Sequence, residues 1–142
     1  MPLPDPEEQA RRFAQVRFAH RTEVQEDYVE LIADLLREQG EARSVDLAQR
    51  IGVSHATVAA TVVRLQKAGL VDTRPYRGLF LTSAGKAMAA DAKQRHDLVV
   101  RFLVELGLDP AVAEADAEGL EHHASEATLA VFRRFLEDKR EG

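Results

Sequence analysis

The chain is 142 residues long, 45% apolar and 30% charged, with no cysteine and a formal net charge of −5, which suits one soluble domain or two small ones sharing a core. Without thiols there is no disulfide, zinc finger or thiolate nucleophile, as fits a reducing compartment. No apolar run approaches the roughly 18 residues that cross a bilayer, and Met1-Pro2-Leu3-Pro4-Asp5-Pro6 lacks the basic end and apolar centre of a signal peptide, so a cytoplasmic protein with no membrane partner is expected.

Three prolines in the first six residues predict a flexible arm, followed by a helical pattern from about Glu7 through Phe18. Val24, Tyr28, Leu31, Ile32 and Leu35 then follow helical spacing up to a stop at Gly40. One helix over residues 7 to 39 would exceed the usual length, so an irregularity is expected near His20 to Thr22. Next come two short helices, Ser44 to Ile51 and Ser54 to Ala68, joined by Gly52-Val53, with Ser44 and Ser54 as N-caps. Their apolar positions close two helix faces on each other, the pattern of a helix-turn-helix. Leu70 to Arg74 and Leu79 to Thr82 read as strands of a hairpin around Pro75-Tyr76-Arg77-Gly78. A long helix runs from a Ser83 cap to Leu106, where Gly107 stops it. Pro110 opens a further helix to about His122, and Ser125 caps the last. The expected class is therefore mainly α with a small β-hairpin wing: a winged helix-turn-helix followed by helices.

Charge is divided along the chain. Residues 1–39 sum to −4, residues 40–95 to +5 and residues 96–142 to −6. The basic block coincides with the helix-turn-helix and hairpin, which points to double-stranded DNA as a partner. The second helix of the pair would enter the major groove, with Ser54, His55, Thr57, Thr61 and Arg64 facing base edges and Lys67, Arg74 and Arg77 available to phosphates. A solvated helix face and an ordinary charged hairpin are the alternative.

A second group of residues is spread over three helices. Asp27 and Glu30 are three apart on one, and Glu118, Glu121 and His122 fall within about 100° of arc on another. His96 shares the apolar stripe of Val99, Val100 and Leu103, so it points toward the core. Oxygen-rich sites with one or two imidazoles suit Mn(2+) and, less well, Fe(2+). Four carboxylates would balance two divalent ions. Taken singly, the pieces also read as a solvated acidic face and a satisfied core histidine. His20 and His123 show no convincing paired carboxylate at helical spacing, and His55 suits DNA better than metal.

Four segments, Asp27-Tyr28-Val29-Glu30, Tyr76-Arg77-Gly78-Leu79-Phe80-Leu81-Thr82, Arg95-His96 and Asp116-Ala117-Glu118-Gly119-Leu120-Glu121-His122-His123, resemble the manganese-responsive regulators of the diphtheria-toxin-repressor family in order and spacing. The resemblance covers roughly residues 23 to 136. It implies a homodimer with a C-terminal helical dimerisation domain and two manganese ions per subunit, held by Asp27, Glu30, His96, Glu118, Glu121 and His122. It also implies bridging by Glu118 and Glu121, with His122 as a further candidate bridge, and Asp27 and His96 serving mainly different ions. Carboxylates at Asp27 and Glu118, where iron-responsive relatives carry sulfur, place the chain in the manganese branch. Two departures concern DNA: the family commonly has proline near His55 and lysine at Ala60.

The organisation expected is an N-terminal extension over 1–22, a DNA-binding domain over 23–91 and a metal-binding and dimerisation domain over 92–142, linked by the helix 83–106. The expected function is manganese-dependent repression of manganese-uptake genes at a palindromic operator, and not catalysis. Alternatives are an iron-dependent regulator of the same family and, less favoured, a di-metal hydrolase with a bridging water as nucleophile.

Overall fold

The computed structural model describes residues 2–141. Among them are six α-helices and one two-stranded hairpin: α1 Pro6–Gln39, α2 Ser44–Ile51, α3 His55–Lys67, β1 Val71–Arg74, β2 Gly78–Leu81, α4 Ser83–Glu105, α5 Pro110–His123 and α6 Glu126–Glu141. The chain divides into two compact units, one from Gln25 to Lys93 and the other comprising the segment up to Val24 and the chain from Gln94 onward.

Helix α1 corrects the expected break near His20. It is continuous over 34 residues, because nothing between Glu7 and Gln39 is a glycine or proline and length alone breaks no hydrogen bond. Thr22 does not interrupt it: its hydroxyl donates to the carbonyls of Ala19 and Phe18 within the same helix, at 3.1 and 3.3 Å.

The unit from Gln25 to Lys93 contains the helix-turn-helix and the wing. Val29, Ile32, Leu47, Val58 and Leu65 form the centre of its core, each essentially without exposure. Gly52 makes the turn between α2 and α3 in the left-handed region at φ 81°, and its N–H and that of Val53 donate to the Ala48 carbonyl. Ser54 caps α3 as expected, its hydroxyl accepting from the Thr57 N–H at 3.1 Å. Ser44 and Ser83 do not act as caps. Each is the first helical residue, and the residue before it stands at the N-cap: the Arg43 N–H donates to the Asp46 carboxylate at 3.4 Å, and the Gly85 N–H donates to the Thr82 hydroxyl at 3.1 Å. Thr82 wins the position because its hydroxyl also reaches the Gly69 carbonyl, at 2.6 Å.

In the hairpin, Val71 faces Leu81 and Arg74 faces Gly78 in antiparallel register. Val71, Leu79 and Leu81 point into the core, and the Arg74 guanidinium lies 4.8 Å above the Phe80 ring. The tip is exposed, with Tyr76 in the left-handed region at φ 64° and 97% accessible. Two joints fix the wing. The Leu79 N–H donates to the Ala42 carbonyl at 2.8 Å, and the Thr82 N–H to the Leu70 carbonyl at 3.1 Å. Both carbonyls crowd a glycine: a Cβ on Gly78 would lie 2.5 Å from the Ala42 oxygen, and one on Gly85 would lie 2.0 Å from the Leu70 oxygen.

The other unit is helical. Leu98, Val99, Ala117 and Leu129 form its core, flanked by Phe102 stacked on Phe132 with ring centroids 3.8 Å apart. Gly107, at φ 106°, ends α4. Pro110 opens α5 at its first turn, and Ser125 caps α6 through the Thr128 N–H at 3.2 Å. No helix among the described residues is long and apolar enough to cross a membrane.

Gly85→Ala separates local propensity from packing. Propensity alone would favour alanine by about 1 kcal/mol, whereas the blocked Cβ should destabilise the unit by about 1–3 kcal/mol. A lower urea midpoint for the variant is the expected result.

Candidate metal centre and nucleic-acid interface

Helix α5 carries Ala113, Ala117 and Glu121 at successive i, i+4 positions, and all three are fully buried. The first two are small and apolar. The third puts a carboxylate at 0% exposure, where it needs a charged or hydrogen-bonding neighbour. His96 of α4 provides one: its Nδ1 is 2.7 Å from Glu121 Oε2. On the adjoining face of α5, Glu114 and Glu118 are i, i+4 neighbours, and Glu118 Oε1 stands 3.8 Å from the same Nδ1. The opposite ring nitrogen, Nε2, lies 2.6 Å from Glu114 Oε2. Arg95, next to His96, donates to the Glu121 backbone carbonyl at 3.3 Å.

His96 is therefore held between carboxylates on both edges of its ring. Burial by itself lowers its pKa, but the hydrogen bond to Glu114 and the charges of Glu121 and Glu118 outweigh that and raise it above the ordinary value of 6.5. Without metal, a proton on His96 offsets part of the acidic charge.

His96, Glu118 and Glu121 bring one ligand atom each to within 4.8 Å of one another. Of the six residues expected to bind metal, these three are assembled in one unit. His122 is buried in the same unit, with Nε2 3.3 Å from Glu121 Oε1. Asp27 and Glu30 stand on α1 in the unit that carries the helix-turn-helix, both partly accessible. The donor set, one imidazole with carboxylates, fits a hard or borderline divalent ion. Glu114 was not singled out from the sequence, although it lies one turn before Glu118 on the same stripe.

His20 and His123 correct the expectation that they lack a carboxylate. Glu23 Oε2 lies 3.4 Å from His20 Nδ1 and 3.5 Å from His123 Nε2. His20 and His123 are far apart in sequence, so only the fold reveals this contact.

On the DNA-reading side, Ser54, His55, Thr57, Arg64, Lys67, Arg74 and Arg77 are all exposed. Thr61 is not. It is 6% accessible, and its hydroxyl donates to the Thr57 carbonyl at 2.9 Å. Its place on the stripe of Val58, Val62 and Leu65 turns it into the core, which removes it from the base-contacting set.

Two family profiles match in tandem: "Iron dependent repressor, N-terminal DNA binding domain" over residues 20–79 and "Iron dependent repressor, metal binding and dimerisation domain" over residues 82–141. The chain belongs to the iron-dependent repressor family. Within that family it is 52% identical over 135 residues to the transcriptional regulator MntR of Escherichia coli O157:H7, covering 95% of this chain and 87% of the relative. To the HTH-type transcriptional regulator MntR of Bacillus velezensis it is 40% identical over 100 residues, 70% of each chain. Among solved structures it resembles a manganese-dependent transcriptional repressor in complex with manganese (34% identity, TM-score 0.71, covering 78% of this chain and 51% of that one). It also resembles the manganese regulator SloR (27% identity, TM-score 0.72, covering 80% and 53%). The chain thus spans about half the length of these solved repressors.

The raised His96 pKa has a definite sign. Protonated His96 stabilises the metal-free fold fully below 6.5, and that contribution disappears as pH climbs through the raised folded value. In metal-free protein, the His96 ring resonances should titrate above 6.5, and Glu114→Gln should move the midpoint down. A midpoint unmoved by Glu114→Gln would show that Glu114 does not hold the proton.

Proposed function

We propose that this chain is a manganese-dependent, DNA-binding transcriptional regulator, and not an enzyme, that acts as a homodimer in the cytoplasm and represses manganese-uptake genes when loaded with metal. The observation that carries this reading is the convergence of Glu118 and buried Glu121 on His96, in a chain whose other unit presents an exposed, basic reading helix and wing. The names of the relatives agree with it.

The ligand set proposed is Asp27, Glu30, His96, Glu118, Glu121 and His122, serving two ions per subunit. Bound divalent ions would supply the positive charge that lets these carboxylates share a small volume. His96 has Nδ1 toward Glu118 and Glu121 and Nε2 toward Glu114, so a metal ion on Nδ1 would leave the ring proton on Nε2 to be donated to Glu114. A carboxylate on the far nitrogen fixes ring orientation and raises basicity at the ligating one. Without metal, mutual repulsion among these carboxylates would favour arrangements unsuited to DNA. Loading would favour the arrangement in which the two recognition helices of a dimer meet successive major grooves of a palindromic operator. The coupling is reciprocal, so DNA must raise metal affinity by the same factor.

Ferrous iron is the second reading, favoured by the family's own description and by a donor set that admits both ions. Operator DNA selected from random duplexes in the presence of manganese, then titrated with manganese, ferrous iron and zinc at one fixed salt concentration, separates them. Manganese-dependent binding in the wild-type chain, lost in a folded Glu118→Ala dimer, is the expected outcome. Equally tight binding in metal-free buffer would sink the mechanism. On the DNA side, Arg64→Ala should weaken binding by about 1–3 kcal/mol. Thr61→Val, buried and bonded within its own helix, should leave DNA affinity unchanged in the same binding assay.

A further inference from the structure

We propose that His20, Glu23 and His123 form a separate divalent-cation site, suited to zinc or another late first-row ion, which joins the N-terminal part of α1 to the end of α5. All three residues belong to the same compact unit, and none is in the ligand set proposed above. His20 and Glu23 are three apart on α1 and share a face. Glu23 Oε2 lies 3.4 Å from His20 Nδ1 and 3.5 Å from His123 Nε2, and the two imidazoles meet edge to face with centroids 4.9 Å apart. One ligand atom from each residue lies within 4.8 Å of the other two.

These spacings are long for hydrogen bonds, which cluster at about 2.7–3.2 Å. They match a different geometry. Zinc bonds to nitrogen and carboxylate oxygen run about 2.0–2.1 Å, and the edge of a tetrahedron built on such bonds is about 3.3–3.4 Å. The two measured edges, from the Glu23 oxygen to each imidazole nitrogen, are close to that length, and the three ligand atoms lie within 4.8 Å of one another. The side chains are 65%, 25% and 30% accessible for His20, Glu23 and His123, leaving the fourth corner to water. Chemistry points the same way. Two imidazoles with one carboxylate make a nitrogen-rich set that suits zinc, copper or nickel, in contrast to the carboxylate-rich cluster around His96, which suits harder ions. The site would pin the N-terminal stretch to the helical unit and give that stretch a role.

The test uses the full-length, metal-free chain and zinc alone as the probe. By equilibrium dialysis, His20→Gln/His123→Gln is expected to bind one zinc fewer per chain than wild type. In wild type, the His20 and His123 ring resonances should shift together as that equivalent binds. Glu23→Gln, which keeps both imidazoles, should weaken the same equivalent at least tenfold. Circular dichroism matching wild type establishes that the variants are folded, as exposed substitutions should be. Unchanged zinc stoichiometry in the double variant, or resonances of His20 and His123 that ignore zinc, would overturn the site and leave a surface contact of two imidazoles with one carboxylate only.

Discussion

A buried negative charge governs the helical unit. Glu121 occupies a fully enclosed position on the stripe that Ala113 and Ala117 begin, and an uncompensated charge in such a place costs of order several kcal/mol. His96 resolves the conflict from α4, at 2.7 Å, which fixes the register of α4 against α5 as well as satisfying the charge. An apolar residue at 121 would pack with less penalty, but it would leave His96 without its nearest acceptor and the cluster without its innermost oxygen. The arrangement therefore serves binding more directly than stability.

The same charge explains why a cation is the natural ligand. Glu114, Glu118 and Glu121 line one face of α5, and His96 is the imidazole they share. When protonated, it is a cation already seated among carboxylates, and a metal ion held there as proposed would take the place of the proton on Nδ1, with Glu114 on the other edge of the ring.

Much of this was legible in the sequence, for identifiable reasons. Ser54, Gly52, Pro110 and Ser125 act through local backbone chemistry, and each does in the structure what its residue type dictates. His96 announced its inward direction through its stripe with Val99 and Leu103. Helix α1 runs unbroken because no breaker lies between Glu7 and Gln39, and length carries no such signal. The Thr61 hydroxyl suggests a polar contact, whereas its place beside Val58, Val62 and Leu65 puts it in the core. Ser44 and Ser83 sat one residue inside the true caps, because Asp46 and Thr82 satisfy the preceding turn through contacts that a single-residue rule does not include. The meeting of His20 with His123 was illegible, since it depends on how α1 packs within its unit.

The two joints of the wing have a consequence for how this fold can vary. At Gly78 and Gly85 even a methyl group collides with a neighbouring backbone oxygen, so these two positions, at the start of β2 and in the first turn of α4, tolerate almost no side chain. Between β1 and β2, the side chains of Pro75, Tyr76 and Arg77 are exposed. Sequence drift in the wing is thereby channelled into its tip, where a new side chain changes the exposed surface of the hairpin while the joints at Ala42 and Leu70 stay as they were.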